Sequence, residues 1–305
     1  MNKSINIGNV FDTPREGIQG NAFQDEYLQA AKKAGFTAIR LPIRWDARAP
    51  LTAPYAIQER FMQRIDHVVQ LALKEDIALI IDMHHFVGMT LEPDTEVPRF
   101  LAVWKQVAER YKDAPAKVMF ELLNEPHGKL TPEKWQAAFD AVLPVVRVSN
   151  PHRTLIVGGG EWNSARGLTM HKFPESDPNI IGTFHYYDPM NVTHQGAEWV
   201  TGSTAWLGTK WAGTAEERVG IENTFDRMVN WGNENKRPVF LGEFGVYNKA
   251  EHSSRLAWTR AVREAAEARN ISWAYWELIS SFGILEPRSM QWRQDLLETL
   301  IPPKR

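Results

Sequence analysis

Eight short apolar runs punctuate this chain, at residues 4–10, 37–41, 78–82, 118–122, 154–157, 180–185, 239–242 and 272–276. Longer amphipathic segments lie between most of them, at 24–34, 57–74, 98–111, 132–149, 220–235 and 251–269, with a last one at 291–300. That alternation is the signature of β-α units and a parallel sheet. Thr131 followed by Pro132 marks one helix start, with an N-cap and a proline at the first helical position. The segment after the fifth run is a poorer helix, and 186–214 reads as a long irregular insertion. No linker, low-complexity tract or charge block divides the 305 residues, so one domain spanning 1–305 is expected. Eight units match the number that closes a barrel, and the expected fold class is an α/β TIM (β/α)8 barrel. An open doubly wound sheet is the alternative, but no glycine-rich phosphate fingerprint follows the first run.

In such a barrel the carboxyl ends of the strands carry the chemistry. Arg40, His84, Asn124, Glu125, His185, Tyr187, Glu243 and Trp276 all fall at or just beyond the ends of six different runs. Two of these are glutamates delivered in the same way. The run 118–123 stops at Asn124-Glu125-Pro126, and the run 238–241 delivers Glu243 after Gly242. Facing carboxyls, one protonated as acid and one ionised as nucleophile, are what hydrolysis of a glycosidic bond needs.

Composition narrows the alternatives. A formal net charge of -2 argues against a nucleic-acid partner, and no apolar window has the length of a membrane span. Without cysteine there is no disulfide, thiolate metal site or thiol nucleophile. The opening residues show no apolar signal core, so the chain is expected to be cytoplasmic, or secreted after loss of a leader. The unusual feature is 12 tryptophans. Trp104, Trp135, Trp231, Trp258 and Trp292 lie within helix patterns and are expected to pack. Trp276 is expected to be a sugar platform, and Trp199 a cleft residue. Trp45, Trp206 and Trp211 also sit in loops, as weaker candidates for lining the cleft.

The motifs also carry a resemblance. Residues 38–45 (AIRLPIRW), 82–85 (DMHH), 123–127 (LNEPH), 185–187 (HYY), 242–245 (GEFG) and 275–277 (YWE) stand in the order seen in family 5 glycoside hydrolases. Residues 6–9 (NIGN), 193–199 (THQGAEW) and 281–284 (SFGI) resemble a narrower group, bacterial and often thermophilic endo-β-1,4-glucanases that also cut mannan. The resemblance implies that Glu125 is the acid/base and Glu243 the nucleophile of a retaining mechanism. It also implies that Asn124 binds the 2-hydroxyl of the sugar at the cleaved bond, and that His194 contacts substrate.

Physical chemistry supports this division of labour. A retaining pair stands roughly 5–5.5 Å apart, so one proton is held between the two carboxyls. Arg40, always protonated, and the phenol of Tyr187 are expected to keep Glu243 charged. His84, His85 and His185 are expected to be neutral hydrogen-bonding groups, with Asn9 and Glu16 binding hydroxyls in a distal subsite. The expected partner is a β-1,4-linked polysaccharide or oligosaccharide, met by a monomer that needs no cofactor or metal. A metal-dependent hydrolase built on Asp82, His84, His85 and His185 is one rival, and a non-catalytic carbohydrate-binding barrel is another. Glucan is expected as the principal substrate, with mannan or glucomannan as the alternative.

Overall fold

The computed structural model describes residues 2–303. Eight parallel strands close into a barrel: β1 (Lys3–Asn6), β2 (Ala38–Ile43), β3 (Ala78–Met83), β4 (Val118–Glu121), β5 (Leu155–Gly158), β6 (Ile180–His185), β7 (Val239–Phe244) and β8 (Ser272–Tyr275). Each pairs with its sequence neighbour, and β8 pairs with β1. The TIM-barrel expectation therefore holds.

Strand periodicity sorts the side chains into two environments. Ile39, Leu41, Leu79, Ile81, Val118 and Phe120 point outward and pack beneath the helices. The alternate positions point inward, where Ile80, Met119, Ile156, Phe240 and Ala274 form an apolar plug. Two residues further along the same strands the inward positions become polar. Ser4 leads to Asn6, Ile80 to Asp82 and Met119 to Glu121, all three polar residues fully buried. The period of two thus carries the interior from a sealing layer to a charged layer at the barrel mouth.

Helices lie where the amphipathic segments predict them, with three shifts at their starts. The helix expected from Pro98 begins at Pro93 and runs through Pro98 (Pro93–Arg110). The helix expected from Gly220 spans Ala215–Glu234, started by a capping box between Thr214 and Glu217. The last helix is Gln294–Leu300, because Gln291–Trp292 pairs with Leu285–Glu286 as a small antiparallel ribbon. No helix among the described residues is long and apolar enough to cross a membrane.

Three tryptophans buried on helices brace the mouth. The indole N–H of Trp104 donates to Leu122 O at 2.9 Å, that of Trp135 to Gly158 O at 2.8 Å and that of Trp258 to Asp188 O at 3.0 Å. Each acceptor lies at or just beyond the end of β4, β5 or β6. A large apolar body and one fixed donor thus pin the loops that carry the polar residues. Trp231 is buried as well, and Trp292 packs partly buried against the core. Trp45 and Trp211 also prove to be core residues rather than cleft residues.

Candidate active site

Arg40 is the centre of the charged layer. It is wholly buried, and its Nε and Nη2 donate to both oxygens of Glu121 at 2.7 and 2.8 Å. Nη2 also donates to Asn124 Oδ1 at 2.7 Å and lies 3.0 Å from Asp82 Oδ2. Nη1 donates to Asn6 Oδ1 at 2.9 Å and Glu243 Oε1 at 2.7 Å. Burial opposes its charge, but Asp82, Glu121 and Glu243 outweigh that and hold its pKa well above the ordinary value. One cation thus faces three buried carboxyls. Burial raises the pKa of Glu121 and pushes Asp82 up to about 7.

Glu125 and Glu243 come together across this layer. A carboxyl oxygen from each and a ring nitrogen of His185 lie within 4.8 Å of one another. Irregular pairing of β6 with β7 sets His185 beside Glu243 and re-aims the end of β7. Glu125 sits beyond β4 with φ 46°, a left-handed conformation that costs a side-chain-bearing residue about 1–2 kcal/mol. Pro126 denies it the ordinary helical region. Asn163, its amide oriented to satisfy both ends, accepts from Glu125 N at 3.2 Å and donates to Gly159 O at 3.0 Å.

The two carboxyls differ in their partners. Glu243 accepts from Arg40 and, through Oε2, from the Tyr187 hydroxyl at 2.8 Å. Glu125 Oε1 meets only His185 Nδ1, at 2.8 Å. Burial depresses the pKa of His185 to about 4, so the ring is neutral. Its Nε2 is buried without a partner among the described residues. An unpaired acceptor is more tolerable there than an unpaired N–H, which assigns the ring proton to Nδ1. Burial pushes Glu125 up to about 7, with Arg40 and His127 opposing it only in part. Burial pushes Glu243 to about 7 as well, against His185, Arg40 and the Tyr187 hydrogen bond. At this separation, ionising both carboxyls at once is unfavourable. The charged form of Glu243 has an ionic hydrogen bond that Glu125 lacks.

A cavity of about 520 Å³ opens over the pair. Trp276 forms one wall, stacked on His84 with ring centres 5.2 Å apart and planes within 4°. Gly8 makes room for that indole: a β-carbon there would lie 2.7 Å from the ring. His84 Nδ1 is 2.7 Å from Asp82 Oδ2. Asn9 Nδ2 donates to Ser280 Oγ at 2.8 Å, and Ser280 Oγ donates to buried Glu277 at 2.8 Å, joining the loops after β1 and β8. His194 and the exposed Trp199 line the same cavity, and Trp199 packs edge-on against Tyr247. Burial lowers the pKa of His84 well below the usual value and that of His194 to about 4.

Glu16 is a correction. Its carboxylate pairs with Arg64 at 2.8 Å and accepts from Phe23 N at 3.0 Å, so it anchors the β1 loop outside the cavity. Asp12 lines the cavity instead, held by the N–H groups of Asn9 and Val10 at 3.0 and 2.9 Å. Burial pushes Asp12 up to about 6. Sequence reasoning also missed Trp162. Glu161, Trp162 and Asn163 form a turn of left-handed residues with φ 57°, 56° and 53°. Trp162 N donates to Pro126 O at 3.2 Å, and the exposed indole stacks on His127 at 4.9 Å and 14°. Only the three preceding glycines, 158–160, hint at an irregular backbone there.

Comparison with known proteins follows the same lines. The chain is 35% identical to endoglucanase H of Acetivibrio thermocellus over 91% of its own length, and spans 29% of that relative. A structure of Thermotoga maritima Cel5A in complex with cellobiose superimposes with TM-score 0.96 at 44% identity, covering 98% of this chain and 97% of that one. The same protein in complex with mannotriose gives TM-score 0.96 at 43% identity, with the same two coverages. Residues 7–281 match the family model described as cellulase, glycosyl hydrolase family 5. By that match over most of its length, the chain belongs to the cellulase family, glycosyl hydrolase family 5.

Proposed function

We propose that this protein is a retaining endo-β-1,4-glucanase in which Glu125 is the acid/base and Glu243 the nucleophile. One observation carries the reading: two carboxyls within 4.8 Å of each other, one bonded by a guanidinium and a phenol, the other by a neutral imidazole. That spacing suits a covalent intermediate and leaves no room for the water an inverting pair must hold between its carboxyls.

The hydrogen bonds suggest how the steps divide. His185 Nδ1–H occupies Glu125 Oε1, so the transferable proton sits on Oε2. That proton passes to the glycosidic oxygen as the bond to the anomeric carbon breaks and Glu243 attacks that carbon. Water then enters, Glu125 takes its proton, and the hydroxyl displaces Glu243 with the β configuration restored. Asn124 has its oxygen bound to Arg40, which leaves its N–H2 to donate to the sugar 2-hydroxyl as positive charge develops.

Strand order gives the cleft a direction. The leaving group departs on the side of its acid, past the loops after β4 and β5, where His127 and Trp162 form an exposed plate. The glycone then lies over Trp276, toward Asn9 and Asp12 on the opposite arc of the barrel. An indole matches the flat C–H face of a pyranose while amides and carboxylates bind its rim. A plate on each side of the pair suits a chain cut internally. We extend this to mannan as a secondary substrate, because the Thermotoga maritima relative was solved with both cellobiose and mannotriose.

Glu243→Gln is expected to abolish turnover on all substrates while retaining cellobiose binding. Glu125→Gln is expected to lose polysaccharide hydrolysis and to keep much of its activity on an activated aryl cellobioside. Equal losses across leaving groups in both variants would overturn the assignment, as would first release of the α-anomer seen by NMR. Side-by-side activities on barley β-glucan and mannan test the substrate order, and cleavage of mannan alone would reverse it.

A further inference from the structure

We propose that Asp12, His84 and His85 bind one Zn2+ or Cu2+ ion in the cleft, and that this ion and the glycan exclude each other. One donor atom from each of the three residues lies within 4.8 Å of the other two. The set of two imidazoles and one carboxylate is borderline-soft and suits these cations rather than Mg2+ or Ca2+.

The surroundings of His84 point the same way. Its Nδ1 is held by Asp82 at 2.7 Å, and Asp82 lies 3.0 Å from Arg40. This carboxylate–imidazole pair is the outer-shell arrangement that fixes a histidine's tautomer in metal sites and leaves Nε2 as the ligating lone pair. His84 Nε2 has no hydrogen-bond partner among the described residues, and the ring lies stacked on Trp276. Asp12 is equally fixed, by two backbone N–H groups. Each carboxylate oxygen keeps a free lone pair after accepting one such bond.

His85 is the least constrained member. It is exposed, packs edge-on against His84 at 4.7 Å and makes no ring hydrogen bond among the described residues. Bonds of about 2.0–2.2 Å bring tetrahedral donors to roughly 3.3 Å apart, so His85 must swing inward to close the site. Solvent then takes the fourth position. A hydrated ion held there occupies the space beside Trp276 that the glycone requires, and the exclusion must work equally in both directions.

The binding half of this proposal stands on the side chains alone, and the exclusion half rests on the glycan reading above. Zinc chloride titrated calorimetrically into chelator-stripped protein is expected to show one site. His85→Ala, an exposed substitution, is expected to weaken it at least tenfold. Asp82→Asn is expected to weaken it by a similar factor through His84. Glu125→Gln and His252→Ala serve as controls for the catalytic cluster and for the exposed pair that His252 forms with Asp295, and both are expected to stay within twofold. Saturating cellobiose is expected to lower zinc affinity, and zinc to raise KM for barley β-glucan without changing kcat. Absence of a one-to-one site, loss of it in Glu125→Gln but not His85→Ala, or indifference to bound cellobiose would each overturn the proposal. Zinc binding that depends on His85 in a protein that binds no cellobiose would instead overturn the glycan reading.

Discussion

Arg40 Nη1 stands 2.7 Å from Glu243 Oε1, and the same guanidinium grips both oxygens of Glu121. The cation that keeps the proposed nucleophile ionised is therefore also the counter-ion of the barrel mouth. Arg40→Lys keeps a positive charge but loses the planar fork. It is expected to lower kcat/KM on soluble β-glucan by about 10²-fold. Arg40→Met leaves buried carboxyls without their cation and is expected to cost roughly 3–5 kcal/mol in urea unfolding. Near-native activity in Arg40→Lys would remove Arg40 from the catalytic account.

Tyr187 offers a finer test of the charge on Glu243. Its hydroxyl donates to Oε2 at 2.8 Å and favours the ionised carboxylate. In Tyr187→Phe that preference is lost and the nucleophile's pKa rises. The acidic limb of the kcat/KM profile is then expected to move to higher pH. The alkaline limb reports loss of the Glu125 proton, whose pKa burial pushes to about 7, and should stay in place. Movement of the alkaline limb alone would interchange the roles of the two carboxyls.

Trp162 is expected to act on leaving groups only. Removing one aromatic plate costs about 0.5–1.5 kcal/mol, or roughly two- to tenfold. Trp162→Ala should raise KM for cellotetraose by that factor. Hydrolysis of β-cellobiosyl fluoride, whose leaving group reaches no plate, should remain within twofold. Equal losses on both substrates would place Trp162 outside the acceptor side.

Asp82 predicts a slope in stability. Burial lifts its pKa from 3.8 to about 7, so the folded protein holds a proton that the unfolded chain has released. The stabilisation is complete below pH 4 and is lost as pH rises through 7. The melting temperature should therefore fall across that window. Asp82→Asn should flatten the fall by an amount on the order of a few degrees. An unchanged slope in the variant would mean that Asp82 is ionised throughout.

The barrel was legible because its signal is repeated eight times and each inward position alternates with an outward one. The boundaries were less so. The run 4–10 reads as one strand, but β1 ends at Asn6, and Asn9 turns away with φ 60° to meet Ser280. The helix that starts at Ala215 carries a Thr214–Glu217 capping box that local inspection could have found. Choosing between Asp12 and Glu16 was harder, since both follow the first strand. Only the fold brings Arg64, 48 residues beyond Glu16, into position to claim that carboxylate. Glu121 was hidden inside an apolar run, where its partner Arg40 lies 81 residues away. Trp162 was hidden by its backbone, because propensity gives no warning of successive left-handed residues.

Because a single guanidinium contacts Asp82, Glu121 and Glu243 together, these four side chains behave as one electrical unit. Changing any one alters the protonation of the rest. A lineage or a designer seeking new chemistry in this barrel has more freedom in the encircling loops, where His85 and Trp162 stand exposed. The inner ring has to be exchanged as a set or left alone.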